Sequence, residues 1–462
     1  RAAPRPAVPK KSLVRGRGGE RPAGSTRRGR SPAIARAAVY SEADPPARHG
    51  AEPDGALATG PPAAKESYLV ADKIIPAARE SGADAIHPGY GFLAETPAFA
   101  QAVEDAGLVW VGPTAGSITA MGDKERARTI ARDAGLPIVP GSARLTADDP
   151  SGLEEAAEAV GFPLLVKASA GGGGIGMRQV DDPAKLADVV GATQTMAERA
   201  FGDGTVYLER LVLQPRHVEI QVFGHGDGRG FHLMERECSV QRRFQKIVEE
   251  APSPAVDPAL RARMTDAALA LVERERYRGA GTVEFILAPK GEFYFLEMNT
   301  RIQVEHPATE MITGLDLVGL QLRLAQGEDL SGLTAPADGP DGHAIECRIY
   351  AENPDKNFLP SPGLLERFAP PLEGDGIRLD TGVTEGDRIT PFYDPMIAKL
   401  VAHGSDRDDA IDRMLTALGE FRIEGIATNI DFLSRVVAHD AFRAGNTHTG
   451  FVDEHRSNLM GA

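Results

Sequence analysis

Glu284 and Glu297 sit in two strand-like runs, residues 282–287 and 293–298, that flank the turn signal Pro289-Lys290-Gly291. A hairpin centred between Lys290 and Gly291 sets the two carboxylates opposite one another, and directly opposed like charges destabilise a sheet. A bound divalent cation reverses that sign, because a hard cation such as Mg²⁺ favours carboxylate oxygens and keeps room for substrate phosphates. Past Glu297 the polar residues Asn299, Arg301, Gln303 and Glu305 alternate with Met298, Thr300, Ile302 and Val304. If this segment is extended, the polar groups from Glu297 onward all point to one side. The row then holds two metal ligands, a cation for an anionic substrate, an amide and a carboxylate base. A solvated strand face is the plain alternative; the abrupt His306-Pro307 stop and the partner carboxylate Glu284 favour a site.

Candidate phosphate-binding groups lie upstream. Lys167 closes the apolar run Leu164-Leu165-Val166 and precedes Gly171-Gly172-Gly173-Gly174-Ile175-Gly176. Glycines let backbone N–H groups approach phosphate closely, and the lysine supplies the compensating charge. The run matches G-x-G-x-x-G in form. The chain then re-enters a strand instead of opening a helix, and no Walker lysine follows, so a flap closing over phosphates is the better reading. Lys124, in Met121-Gly122-Asp123-Lys124, is a second candidate phosphate lysine, and Glu209, at the end of residues 206–208, can accept a hydrogen bond from an adenine amino group. Each of these alone reads more simply as a surface charge. The run from Glu235 to Lys246 is dense in charge and amide groups, the usual mark of a solvated face.

These residues need a scaffold, and the pattern around them alternates helix with strand. Residues 74–81 and 99–106 read as helices, and residues 83–86 and 108–111 as short strands, which together signal an α/β lobe with parallel strands. Helices are expected over residues 124–134, 153–160, 183–199, 258–273 and 315–325, with strands over 162–166 and 177–180 around the glycine run. A final α+β segment runs from Pro336 to Asp453. The fold class is therefore mixed α/β and α+β.

The whole chain limits the function classes. With 462 residues it holds more than one domain, and 42% hydrophobic against 25% charged residues is the balance of a soluble globular protein. No stretch is apolar enough to span a membrane. Residues 1–50 carry 12 Lys and Arg against 3 Asp and Glu, so the remainder carries −24 of the net −15. An acidic body repels phosphate backbones, which argues against nucleic acid as a partner. The only two cysteines, Cys238 and Cys347, exclude a disulfide scaffold and suit a reducing cytosol, so a cytoplasmic location is expected.

Taken together, these stretches closely resemble the biotin carboxylase family of ATP-grasp enzymes from about Glu66 to about Asn446. The resemblance rests on His87-Pro-Gly-Tyr-Gly-Phe-Leu, Met121-Gly-Asp-Lys, Lys167-Ala-Ser-Ala-Gly-Gly-Gly-Gly, Pro215-Arg-His-Val-Glu-Ile-Gln, Glu297-Met-Asn-Thr-Arg-Ile-Gln-Val-Glu-His-Pro, Glu346-Cys-Arg and Phe358-Leu-Pro-Ser-Pro-Gly. It implies an ATP-grasp fold with a Rossmann-like lobe (residues 36–118), a small glycine-flap lid (119–211), a large domain with the metal and catalytic strands (212–335) and a C-terminal α+β domain (336–453). It implies MgATP or its Mn²⁺ counterpart, with Lys124, Lys167, Gly171, Gly172, Gly173, Gly174, Glu209, His217, Gln241 and Glu284 at the nucleotide, and Glu284, Glu297 and Asn299 on the metal. Arg301, Gln303 and the Val304 backbone match the bicarbonate cradle, Glu305 the base, Lys246 the lysine near carboxyphosphate, and Arg348 the arginine beside the biotin enolate. The partners implied are a biotin carboxyl carrier protein or domain, a carboxyltransferase and a second copy of the chain. No Ala-Met-Lys-Met biotinylation motif is present, so biotin is expected on a carrier.

The sequence departs from the family at Ile175, at Phe244 and over the first 35 residues, where Arg-, Gly- and Pro-rich text replaces the first helix. A disordered tail, a targeting segment and an interruption of the reading frame between about Leu13 and Ala35 are the readings of that text; one intact frame on resequencing would remove the last. Two other functions stay open at this level: another ATP-grasp carboxylate–amine ligase, and an inactive nucleotide-binding subunit kept for assembly.

Overall fold

A computed structural model describes residues 11–14, 35–44, 55–146, 152–169, 177–337 and 339–460. The chain falls into two compact units, one of residues 1–136, 216–285 and 296–462, the other of residues 137–215 and 286–295.

The first unit opens on a five-stranded sheet of β1 (Lys11–Val14), β2 (Ala35–Tyr40), β3 (Ala56–Ala58), β4 (Ala85–His87) and β5 (Val109–Trp110), in the order β3-β2-β1-β4-β5. Every pairing in it is parallel, as the alternating pattern predicted. The order reverses direction between β1 and β4, the doubly wound arrangement whose ligand crevice lies at the strands' carboxyl ends. Residues 1–35 were expected to be aberrant, yet β1 pairs with β2 from Lys11↔Ala35 to Val14↔Ala38. The connection that carries the suspected frame interruption, residues 15–34, lies outside the described residues. Helices α1 (Ala71–Glu80) and α2 (Pro97–Asp105) bury Ile74, Ala78, Phe99 and Val103 with Val39, Ile86 and Trp110 of the strands. Helix α3 (Ala115–Gly122) was not expected; α4 (Lys124–Asp133) was, and the Asp123 side chain caps it by accepting from Arg126 N at 2.8 Å.

In the second unit α5 (Leu153–Val160) precedes an antiparallel sheet of β6 (Leu164–Ala168), β7 (Met177–Val180) and β8 (Val206–Arg210), with α6 (Leu186–Phe201) between β7 and β8. Val160, Leu164, Val166, Val190 and Leu208 form its core. β6 and β7 pair with Lys167 opposite Met177, the expected strand–loop–strand order. Gly171–Gly174 and Ile175, between them in sequence, lie outside the described residues.

An eight-stranded sheet dominates the first unit. It is built from β9 (Arg216–His225), β10 (Gly230–Arg242), β11 (Gln245–Ala251), β12 (Arg278–Leu287), β13 (Phe293–Asn299), β14 (His343–Tyr350) and the strands Ile377–Thr381 and Met396–Gly404. The neighbours of β10 are β9 and β11. Its polar and charged residues are buried, contrary to the solvated-face reading: Glu235, Arg236, Glu237, Ser239, Gln241 and Arg242 are each less than a tenth exposed. Burial is possible because β9 supplies Glu219 for Arg236 and Arg216 for Glu237, while Arg261 pairs with Glu235 and Glu352 with Arg242. Helix α7 (Pro258–Arg274) packs on β9 and β10, and α8 (His306–Thr313) on β10, β11 and β14. The largest apolar cluster lies behind β14, where Ile345, Cys347 and Ile349 meet Leu400, Ile411, Met414, Phe432 and Val436.

Candidate functional site

Alternation along β9 buries Glu219 and Gln221 between Val218, Ile220 and Val222, and the register sets Arg236 of β10 opposite Glu219. A buried charge survives only when paired. The Arg236 guanidinium, fully buried, donates to Glu219 Oε1 at 2.7 Å, Gln221 Oε1 at 2.7 Å, Thr309 Oγ1 at 2.8 Å and Gln303 Oε1 at 2.5 Å. With its oxygen held by Arg236, the Gln303 amide turns Nε2 toward Glu284 Oε1 at 2.9 Å. One residue ahead of α8, Glu305 sits at its N-cap position, and Pro307 occupies the first turn.

Lys246 of β11 is the centre of the cluster. Its ammonium donates to Glu219 Oε2 at 2.7 Å, Glu284 Oε1 at 3.0 Å and Glu305 Oε1 at 2.7 Å. Burial works against this charge, but Cys238 and the three carboxylates together hold Lys246 well above its ordinary range. Arg348 of β14 donates to Glu305 Oε2 at 2.9 Å and to Glu249 Oε1 at 2.6 Å. Burial pushes Glu305 up, yet Lys246, Arg348 and Arg236 outweigh it and hold the carboxyl far below the usual range. Glu284 is likewise held well below that range by Lys246 and His217 against its burial, with His217 Nε2 at 2.9 Å from Oε2. Gln241 Nε2 lies 3.0 Å from His217 Nδ1.

Two expectations about the metal strands are corrected. The turn spans three residues rather than two: Ala288 N donates to Glu292 O at 2.7 Å, Gly291 N donates to Ala288 O at 3.0 Å, and Gly291 has φ 80°. The hairpin is therefore centred on Lys290, not between Lys290 and Gly291. Burial along β13 then slips by one residue: Phe293, Phe295 and Met298 are buried and Leu296 is exposed. The two carboxylates still act on each other, since burial first and Glu284 second push the Glu297 carboxyl upward. The polar row beyond them is not one extended strand. β13 ends at Asn299, Arg301 lies in a bend, and Val304 and Glu305 form a turn ahead of α8. Glu95 causes the bend: it accepts from Thr300 N at 3.0 Å and from Arg301 Nε at 2.8 Å. Arg301 therefore faces Glu95 and Asn299 Oδ1 (2.8 Å), while Gln303 and Glu305 turn inward to Lys246. Val304 presents its carbonyl to Lys399 Nζ at 3.0 Å.

Glu284, Glu297 and Asn299 offer hard oxygen donors, and the mutual repulsion of the two carboxylates is what a divalent cation would relieve. Among the described residues the tightest groups of possible ligands are His217 with Glu219 and Glu284, and Glu219 with Cys238 and Glu305; neither contains Glu297. Lys246 and His217 draw Glu284 toward β9 and β11. Lys124 lies 3.8 Å from Glu297 Oε2 and is largely exposed. In the second unit Lys167 donates to Glu209 Oε1 at 2.8 Å, which joins two of the expected nucleotide residues. Glu219, Arg236, Glu249, Glu346 and Lys399 were missed. The alternation of Glu219 and Gln221 among apolar residues was the available signal for the first pair.

Three family models cover most of the chain: biotin carboxylase N-terminal domain over residues 10–118, carbamoyl-phosphate synthase L chain ATP-binding domain over 123–333, and biotin carboxylase C-terminal domain over 346–454. A pyruvate carboxylase subunit of Methanothermobacter thermautotrophicus is 49% identical over 91% of this chain and 85% of its own length. Biotin carboxylase of Halalkalibacterium halodurans is 48% identical over 90% and 92%. The chain spans 62% of the longer methylcrotonoyl-CoA carboxylase alpha subunit of Dictyostelium discoideum. The biotin carboxylase domain of the Hydrogenobacter thermophilus 2-oxoglutarate carboxylase, solved with MgADP, ADP and bicarbonate, matches with TM-score 0.85 and 40% identity over 98% of this chain and 99% of that one. No helix among the described residues is long and apolar enough to cross a membrane. The motifs, the buried charge cluster and these matches agree, and the chain belongs to the biotin carboxylase family of ATP-grasp enzymes.

Proposed function

We propose that this chain carboxylates biotin with bicarbonate at the expense of ATP, as the first half-reaction of a biotin-dependent carboxylase. The observation that carries the reading is the convergence of Lys246, Arg348, Gln303 and Glu305 on one buried centre with Glu284. Lys124, Lys167, Gly171–Gly174, Glu209, His217 and Gln241 are the proposed nucleotide contacts. Glu284, Glu297 and Asn299 would hold Mg²⁺, which neutralises phosphate charge when bound.

In the first step a bicarbonate oxygen attacks the γ-phosphorus of ATP, ADP leaves, and carboxyphosphate forms. Glu305 takes the bicarbonate proton, and Arg301, Gln303 and the Val304 backbone orient the anion. Held by Lys246 and Arg348, Glu305 is a very weak base before substrate arrives. An anionic substrate that recruits those two cations restores its basicity, so substrate binding and base activation are one event. Carboxyphosphate then separates into CO₂ and phosphate. The phosphate takes the biotin N1 proton, the Arg348 guanidinium neutralises the enolate, and the enolate attacks CO₂. Positioning and charge neutralisation carry the phosphoryl transfer.

A biotin carboxyl carrier protein, a carboxyltransferase and a second copy of the chain are the proposed partners, and residues 36–118, 119–211, 212–335 and 336–453 the proposed domains. Phosphate release from ATP tests the reading: it should require bicarbonate and rise on adding free biotin. ATP hydrolysis indifferent to both, or dependent on an amine acceptor, would overturn it.

A further inference from the structure

Behind Arg348 lie two carboxylates that this chemistry does not use. Glu249 of β11 and Glu346 of β14 are direct partners across antiparallel strands, so their side chains leave on the same face of the sheet. Both residues are 0% exposed. Arg348 joins Glu249 to the catalytic centre by donating from Nε to Glu249 Oε1 at 2.6 Å and from Nη2 to Glu305 Oε2 at 2.9 Å. The remaining oxygens, Glu249 Oε2 and both of Glu346, are buried with no hydrogen-bond partner.

The cations around the pair are committed elsewhere. Lys246, on the same strand as Glu249, is held by Glu219, Glu284 and Glu305. Lys399, on the strand Met396–Gly404 and opposite Arg348 in register, donates to Val304 O at 3.0 Å and lies 3.5 Å from Asp380. From α8, His306 Nδ1 lies 2.7 Å from Gln303 O, and Glu310 accepts from Arg378 at 2.6 Å. Among the described residues no cation or donor bonds Glu346. A buried carboxyl in that position is stable as the neutral acid.

We propose that Glu249 and Glu346 form a positioning pair for Arg348, in which Glu346 stays a neutral carboxylic acid and Glu249 is left as the single anion that anchors the guanidinium. Burial pushes Glu346 well above the ordinary carboxylate range, with Glu249 and Glu305 adding to the effect and Lys399 and Arg348 opposing it. Burial also pushes Glu249 up, to about 7 against the pull of Arg348, so Glu249 is the member of the pair that ionises first and is the anion above that pH. A second full charge on Glu346 would draw the guanidinium between the two carboxylates and away from Glu305. The role rests on reading Arg348 as the arginine beside the biotin enolate, but the protonation state does not.

Infrared difference spectra of the full chain between neutral and alkaline pH read that state directly. Above pH 8, where Glu249 is ionised, the wild type should still show the C=O stretch of a buried protonated carboxyl, lost on raising the pH further, and Glu346→Gln should lack it there. Absence of the band from the wild type, or its persistence in Glu346→Gln, overturns the proposal even if the chain proves to have a different activity. Kinetics then test the positioning. Glu249→Gln should lower the biotin-dependent kcat by about tenfold or more while the KM for ATP holds. Glu346→Gln, an uncharged isostere, should move the alkaline limb of the kcat profile to higher pH. A Glu249→Gln enzyme with the wild-type biotin-dependent kcat, or an alkaline limb unmoved in Glu346→Gln, would contradict it.

Discussion

Lys246 is the charge on which three buried carboxylates depend. Removing one partner from such a cluster leaves uncompensated buried charge, at a cost of about 3–5 kcal/mol. Lys246→Met is therefore expected to lose about that much stability at pH 7, read by urea unfolding, together with carboxylation. The pH dependence has a definite sign. Glu284 and Glu305 have folded-state affinities for protons held below the ordinary value of 4.5, so they contribute stability that is present above 4.5 and lost as pH falls through the lower folded value. Lys246 supplies much of that depression, so the gap between wild type and variant should be widest at neutral pH and close toward acid. A gap constant from pH 7 to the acid range would contradict this assignment. Lys246 could be singled out in the sequence only through the family resemblance, because a lysine in a charge-dense run has no local mark of burial. Glu219 was more legible: an acid and an amide alternating with valine and isoleucine need partners across the sheet.

At the scale of elements, apolar periodicity gave the helices well. α4, expected over residues 124–134, runs Lys124–Asp133, and α7, expected over 258–273, runs Pro258–Arg274. The β12–β13 hairpin was harder. A G1-like turn at Gly291 and a slip at Leu296 depend on local hydrogen bonds that residue types alone do not encode. The β10–β11 turn makes a separate prediction. Arg243 and Phe244 both adopt positive φ, 48° and 64°, in a two-residue connection between Arg242 and Gln245. Phe244 is 80% exposed, so its side chain contributes little burial to offset the left-handed backbone. Phe244→Gly should raise stability by about 1 kcal/mol, seen as a higher melting temperature. Gly224 is the opposite case. A Cβ there would lie 2.1 Å from the Tyr277 carbonyl oxygen, and Tyr277 is fully buried. Gly224→Ala should cost about 1–3 kcal/mol or more by the same measurement.

For the whole molecule, sequence pattern gave the α/β lobe, the mixed fold and the order of the motifs. It did not show that β1 pairs into the first sheet, because arginines, glycines and prolines surround Lys11–Val14. The row from Glu297 to Glu305 was expected as one extended strand; instead a bend tied to Glu95 turns Glu305 toward Lys246 and Gln303 toward Glu284, while Arg301 faces Glu95. The most direct test is bicarbonate-dependent, biotin-stimulated phosphate release from ATP by the wild type and by Glu305→Gln, an uncharged isostere that cannot take a proton. A fall of about 10²-fold or more is expected in the variant, and equal rates in the two proteins would contradict the role given to Glu305.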